Sequence, residues 1–429
     1  MKKTINYLIN FKIYFFSIVI ILMTSSIIKG QLQNNLRELS SEKPFKYIYK
    51  KTTNLAEYLS PESFEMNVIS SKSGTISLGG ELRFSLTESF NNSIINNVFL
   101  YGDTTKFHTT TTGSWKDPYL GIGNFIDYYS YFQNGREIMR VDRETISALF
   151  AMKDSDFLTW HTKITNSSDP DNVATSGMCL LPNFWNGCQK NPDPKHALIV
   201  PKLMGKDIEL RIRLISDITY VSNTSGTQTL PNALKLCVFH SEVHPNIMED
   251  LLQNSNSKHL TVAFQRELSQ SQTGTGASGQ VIYQDMTSFK GNLKCFLHNI
   301  WLASEDEEIP TTSYTNKFNP TLLVTAYQLK NGGKVLKEYN EGGSHKLMMA
   351  ESSCFMKSSF PTWSLPMNFC RSDPLLSLGR SENSLNRENL KSLKSFITCT
   401  LTAHPYYIET IAIQEVYLIY LLDGSAESK

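Results

Sequence analysis

Apolar and polar residues alternate with a period of two along most of the chain. Phe64, Met66 and Val68 form such a run, then Ile76 and Leu78, then Leu82, Phe84 and Leu86 after Gly79-Gly80. Asn97–Tyr101 follows. In 207–214, Ile208, Leu210, Ile212 and Leu214 take one face and Glu209, Arg211 and Arg213 the other. This alternation predicts short half-buried strands. Longer runs occupy 232–245, 293–301, 322–330, 396–401 and 407–422, and Leu260, Val262 and Phe264 open the second half. Helical spacing is clear in one place: Ile138, Val141, Thr145, Ile146, Leu149 and Phe150 predict a helix over about 140–153. Shorter helices are expected at 246–253 and within 378–393. Loops are expected at 104–113, 165–195 and 269–280, at the acidic tip 305–308, and around Pro361, Trp363 and Pro366.

Two arrangements occur twice. The apolar run 124–132 enters an Asn134-Gly135 turn, and 322–330 enters Asn331-Gly332. Asn-Gly supplies the positive φ angles of a tight hairpin. The long strand 232–245 is echoed by 411–420 near the C-terminus. Two β units in tandem follow, 61–245 and 246–424, after an arm at 31–60.

The chain has 429 residues, enough for more than one core. Its 41 Lys+Arg against 40 Asp+Glu leave a net charge of +1. No basic field exists to hold phosphates, so direct sequence-specific nucleic-acid binding is not expected. Seven cysteines without a Cys-x-x-Cys pair argue for mostly reduced thiols, with Cys179 and Cys188 the best candidates for one disulfide. Residues 1–30 carry Lys2, Lys3 and Lys12 ahead of an apolar run at 13–28. That pattern suits a signal peptide, an anchor, a membrane-facing arm or a start codon set too far upstream. Asn91, Asn166 and Asn223 head glycosylation sequons, usable only in a secretory lumen.

Candidate chemistry is sparse. His240 and His244 lack the helical His-Glu-x-x-His order of a zinc protease and lie on a strand. Cys179, Cys188 and His196 match no familiar metal spacing. Gly274, Gly276 and Gly279 fall in a Ser/Gln/Gly loop that does not lead from strand to helix. Glu409 and Glu415 read as surface residues. No catalytic, cofactor-binding or metal-ligating residue is assigned, and no cofactor is expected.

The order of these features resembles the double jelly-roll major capsid proteins of tailless icosahedral DNA viruses, the virophage and Polinton-like groups among them. The resemblance rests on 124–138 with its Asn-Gly turn and following helix, on His196–Gly205 ahead of the 208–214 strand, on the Leu234–Pro245 strand, on Tyr327–Gly332, and on the C-terminal strand. It implies an all-β fold: two tandem jelly-roll sandwiches with a few short helices in loops. It also implies a structural role as a homotrimer tiling an icosahedral shell. Its partners would be neighbouring capsomers, minor capsid proteins and, through residues 1–30, an internal virion membrane. The competing readings are a secreted or cell-surface β-sandwich binding protein and a secreted β-sandwich hydrolase.

Overall fold

The structure is a computed structural model. It describes residues 64–72, 76–104, 115, 117, 119–165, 175–191, 197–200, 208–218, 221, 230–242, 258–270, 279–286, 291–302, 324–340, 344–354, 360, 364–370, 392–400, 406–420 and 426–428. The expectations for the N-terminal segment, the 246–253 and 378–393 helices, the acidic tip, His244, His196, Asn166 and Asn223 lie outside these residues.

The first half supplies β1 (Glu65–Ser70), β2 (Glu81–Ser85), β3 (Ser93–Thr104), β4 (Ile126–Gln133), β5 (Arg136–Asp142), β6 (Thr175–Leu180), β7 (Leu198–Val200), β8 (Ile208–Leu214) and β9 (Ala233–Glu242). They pair as two antiparallel sheets, β1-β9-β3-β6 and β2-β8-β4-β5, with short β7 also on β3. The second half supplies β10 (Lys258–Gln270), β11 (Gly279–Asp285), β12 (Asn292–Leu302), β13 (Val324–Asn331), β14 (Lys334–Tyr339), β15 (Ser364–Asn368), β16 (Leu393–Thr400), β17 (Tyr406–Tyr420) and β18 (Ala426–Ser428). Their order is β10-β17-β12-β15, with β18 on β17, and β11-β16-β13-β14. Each half is a jelly roll of eight strands in two four-stranded sheets, with one short extra strand, β7 or β18, added to the first sheet. The two have the same strand order, with the last long strand of each inserted between the first and third.

Three β-bulges fall at matching positions in the two rolls. Asn96 on β3 corresponds to Lys294 on β12, Asp127 on β4 to Thr325 on β13, and Ile138 on β5 to Leu336 on β14. A bulge bends its strand and re-aims the side chains beyond it, so shared bulges mean shared curvature. The carbonyl freed at the first bulge is used alike in both rolls. The Asn96 carbonyl accepts from the Trp185 indole N–H at 2.9 Å, from the loop after β6. The Lys294 carbonyl accepts from the Phe369 N–H at 2.8 Å, just after β15.

The hairpins match with one correction. Asn134 and Gly135 sit at φ 53° and 75° and form the first turn as expected. In the second, Asn331 is the last strand residue, paired with Lys334. Gly332 and Gly333, at φ 59° and 102°, make the turn. The Asn-Gly dipeptides are therefore one residue out of structural register, because Gly332-Gly333 meets the positive-φ demand better than Asn331.

Helices lie between strands. α1 (Leu86–Ser89) is capped by Ser85, whose hydroxyl accepts from the Glu88 N–H. α2 (Arg143–Ala151) is shorter than the sequence predicts, because Ile138 and Val141 belong to β5. α3 (Ser155–Thr165) and α4 (Ser344–Ser353) are not anticipated by the pattern. β6 and β15 also run through spans expected to be irregular. Pro366 is tolerated in β15 because that strand is at the edge of its sheet.

Candidate functional site

Each roll encloses its own core. Between β3 and β9 the residues pointing inward include Leu100 opposite Leu236, and Phe84 of β2 lies opposite Leu210 of β8, all fully buried. At the corresponding places the second roll has His298 opposite Thr410 and Gln284 opposite Ser395. These polar groups satisfy one another. The His298 Nδ1 lies 2.6 Å from Thr410 Oγ1, and its Nε2 3.0 Å from the Tyr327 hydroxyl. Thr410 donates to Gln284 Oε1 at 2.5 Å, and Gln284 Nε2 donates to the Ile408 carbonyl at 3.2 Å. Burial holds the His298 pKa down at about 3, so the ring is neutral. In the first roll His161 of α3 is held down to about 3 by the same cause and accepts from the Leu180 N–H at 3.2 Å. Among the described residues, His298 meets two hydroxyls and His161 a backbone N–H.

Cys179 and Cys188, the best candidates for a disulfide in a chain of mostly reduced thiols, are separate buried thiols. The loop between them folds into the interior instead of crossing a solvent gap. Asn183 and Gly187 bridge each other, and Phe184 and Trp185 pack edge-on to Tyr131. Tyr129 donates to the Pro182 carbonyl at 2.5 Å. Aromatic packing and the bulge carbonyl secure the loop, so no covalent link is required. Cys237, Cys295 and Cys399 are buried on strands as expected. His240 is buried against the Phe90 ring, with Asn67 Nδ2 2.7 Å from its Nε2. Among the described residues no group of three potential metal ligands occurs, and no helix is long and apolar enough to cross a membrane. Asn91 is exposed in the turn before β3.

Glu409 and Glu415 correct a second expectation: both are buried. They lie on the outward face of β17 with Ile411 and Ile413. Asn299 Nδ2 donates to Glu409 Oε2 at 3.2 Å, and Glu415 pairs with the fully buried Lys294 ammonium. Among the described side chains, this face of β12 and β17 is buried. Cys295, Leu297, Ile411 and Ile413 belong to one apolar cluster with the core of the first roll. Phe296, Ile300, Ile408 and Ala412, on the opposite face, belong to the second roll's own core. The two rolls are thus fused through a dry joint, and β5 of the first roll runs beside β10 of the second. A partial sequence signal was present in β17, where Ile411-Ala412-Ile413 is apolar on both faces instead of alternating, as in strands covered on both sides.

The outer face of β2-β8-β4-β5 is charged. Arg83 pairs with Glu81 at 2.7 Å, Arg211 with Glu209 at 2.8 Å and Arg140 with Asp142 at 3.1 Å. Arg140 covers the Tyr128 ring and Arg211 the Phe132 ring. An open groove here is lined by Lys72, Glu81, Arg83 and Glu209. Its alternating signs select no ligand class. The corresponding face of the second roll has Lys330 over Phe396 and Lys394 over Tyr283, with Val281 and Tyr283 exposed. The molecule's distinctive feature is therefore a pair of matched, fused sandwiches with broad outer surfaces.

That architecture has solved counterparts. VP54 of PBCV-1, fitted into a reconstruction of the virophage Sputnik, superposes with a TM-score of 0.65 at 14% identity, covering 90% of this chain and 98% of that one. The chain has the double jelly-roll fold of viral major capsid proteins. The Faustovirus major capsid protein shares this double jelly roll with a TM-score of 0.56 at 8% identity, over 92% and 98% of the two chains. The Sputnik virophage structure gives 0.51 at 9% identity, over 85% and 88%. No family model matches the double jelly-roll chain, and no curated protein matches its sequence. At such identities the likeness resides in the fold.

Proposed function

We propose that this double jelly-roll chain is a major capsid subunit whose three copies form a pseudo-hexagonal trimer that tiles an icosahedral virion shell. The supporting observation is the rigid fusion of two equivalent rolls through a buried joint. A chain built this way presents two nearly identical blocks side by side, and three such chains supply six. Structures with the same fold over most of their length include the Faustovirus major capsid protein and the PBCV-1 capsid model. The two units are residues 61–245 and 246–424. The role is structural and non-enzymatic, which suits a molecule whose buried histidines and carboxylates are consumed by packing. Its partners are identical chains, neighbouring capsomers and minor capsid proteins, and residues 1–30 contact an internal virion membrane. Nucleic acid is not read directly.

The test is the mass of the purified protein in solution by light scattering. A stable trimer is expected, and a monomer at micromolar concentration overturns the reading. Deleting residues 1–30 should leave the trimer intact while abolishing flotation with lipid vesicles. Unchanged flotation removes the membrane role alone.

A further inference from the structure

Asn-Gly occurs three times in the chain, at Asn134-Gly135, Asn186-Gly187 and Asn331-Gly332. The dipeptide carries a reaction of its own. Glycine has no Cβ to shield its backbone nitrogen, so that nitrogen can approach the side-chain amide carbon of the asparagine before it. A solvent base takes the glycine N–H proton as the nitrogen bonds to Cγ. The Cγ–Nδ2 bond then breaks, and the amide leaves as ammonia after taking a proton back from solvent. Water opens the resulting cyclic imide at either carbonyl. One opening leaves aspartate, and the other leaves isoaspartate, whose main chain carries an extra carbon. The sum is asparagine plus water giving aspartate or isoaspartate plus ammonia. All three sites share this local chemistry, so the fold around the reacting atoms separates them.

Asn186 is buried in the loop after β6. Its amide nitrogen, the leaving group, donates to the Asn96 carbonyl at 2.5 Å. The Gly187 N–H, which carries the nucleophile, donates to the Asn183 carbonyl at 2.9 Å. Asn331 is held by a strand on each side, opposite Lys334 of β14 and Leu393 of β16. Its Oδ1 accepts from the Ser392 N–H at 3.2 Å, and the Gly332 N–H donates to the Ser392 carbonyl at 3.0 Å. Ser392 thus fixes both the amide to be attacked and the nitrogen that would attack it.

Asn134 is placed differently. It lies beyond the last residue of β4, outside the Gln133–Arg136 pair that closes the hairpin. Asn134 and Gly135 are both exposed. A Cβ at Gly135 would meet nothing within 4 Å, so this peptide has room to swing toward the Asn134 side chain. The offset between the two hairpins makes the difference: the first asparagine is in its turn, the second in its strand.

We propose that Asn134 is a site of spontaneous deamidation in the folded protein, and that the fold protects Asn186 and Asn331 from the same reaction. Either product adds a carboxylate beside the exposed Arg136 and Glu137. Isoaspartate also lengthens the main chain at the tip of the β4–β5 hairpin.

The experiment holds the folded full-length chain in mildly alkaline buffer, samples it over weeks and maps its peptides by mass spectrometry. Chromatography separates isoaspartyl from aspartyl peptides. Asn134 should lose its amide at least about tenfold faster than Asn186 or Asn331, since each of those must first break hydrogen bonds that together amount to a factor of this size. The same chain in concentrated urea should lose all three amides at similar rates. Gly135→Ala should slow the loss at Asn134 alone. Equal rates at the three sites in the folded chain overturn the proposal, as does an Asn134 that keeps its amide while the unfolded chain loses it. A ranking that persists unchanged in urea overturns it too, since the order would then come from neighbouring residues and not from the fold.

Discussion

At the scale of single residues, two buried histidines, one in each roll, make the fold sensitive to acid. His298 and His161 both titrate near 3 when folded, against about 6.5 in an unfolded chain. Between those values the unfolded state binds more protons, so stability is full above about pH 6.5 and falls as pH drops toward 3. Thermal midpoints measured from pH 7.5 to pH 4.5 should therefore decline, and the decline should shrink in a His298→Leu variant. At pH 7.5 that variant should itself be less stable by roughly 1–3 kcal/mol, since the Tyr327 and Thr410 hydroxyls lose a buried partner. The Lys294–Glu415 pair behaves differently. Lys294→Met leaves a buried carboxylate and should cost about 3–5 kcal/mol in chemical denaturation. Adding Glu415→Leu should recover most of that loss, because apolar groups of similar volume replace a buried pair with little penalty.

At the scale of elements, bulges and turns govern how much change a glycine position tolerates. A Cβ at Gly135, at φ 75° in the first turn, meets nothing within 4 Å. Gly135→Ala should cost only about 1–2 kcal/mol of backbone strain. A Cβ at Gly291, just before β12, falls 2.4 Å from the Glu415 carbonyl oxygen and 2.6 Å from Val416 Cγ1. Gly291→Ala should therefore force β12 away from β17 and shift the denaturation midpoint further than Gly135→Ala. The same distinction explains what the chain's pattern revealed beforehand. The 208–214 strand was legible because one of its faces is wet, and the alternation is complete. α4 was not, because its buried positions are Ser344, His345, Met348 and Ser352, whose polar groups hide a helical stripe. β15 was masked by Pro366. The burial of Glu409 and Glu415 was missed because carboxylates read as surface groups. Only the packing of one roll on the other reverses that rule.

At the scale of the whole molecule, the two rolls are not independent blocks joined by a tether. Cys295, Leu297, Ile411 and Ile413 would become exposed if the second roll stood alone. Uncovering apolar side chains of this size costs roughly 1.5–3 kcal/mol each, a sum comparable with the whole stability of a typical domain. Residues 246–429 expressed separately should therefore aggregate or bind a hydrophobic dye, whereas the full chain should not. The position of β17 carries one more consequence. This strand comes after β10, β12 and β15 in the chain, yet it lies in the middle of its sheet, between β10 and β12. During synthesis the first sandwich can finish while the ribosome is still translating its twin, but the twin must wait for β17 to leave the exit tunnel. A stop codon just ahead of β17 would thus remove a central strand rather than trim an edge, and the unfinished product would carry an open seam down the middle of a sheet.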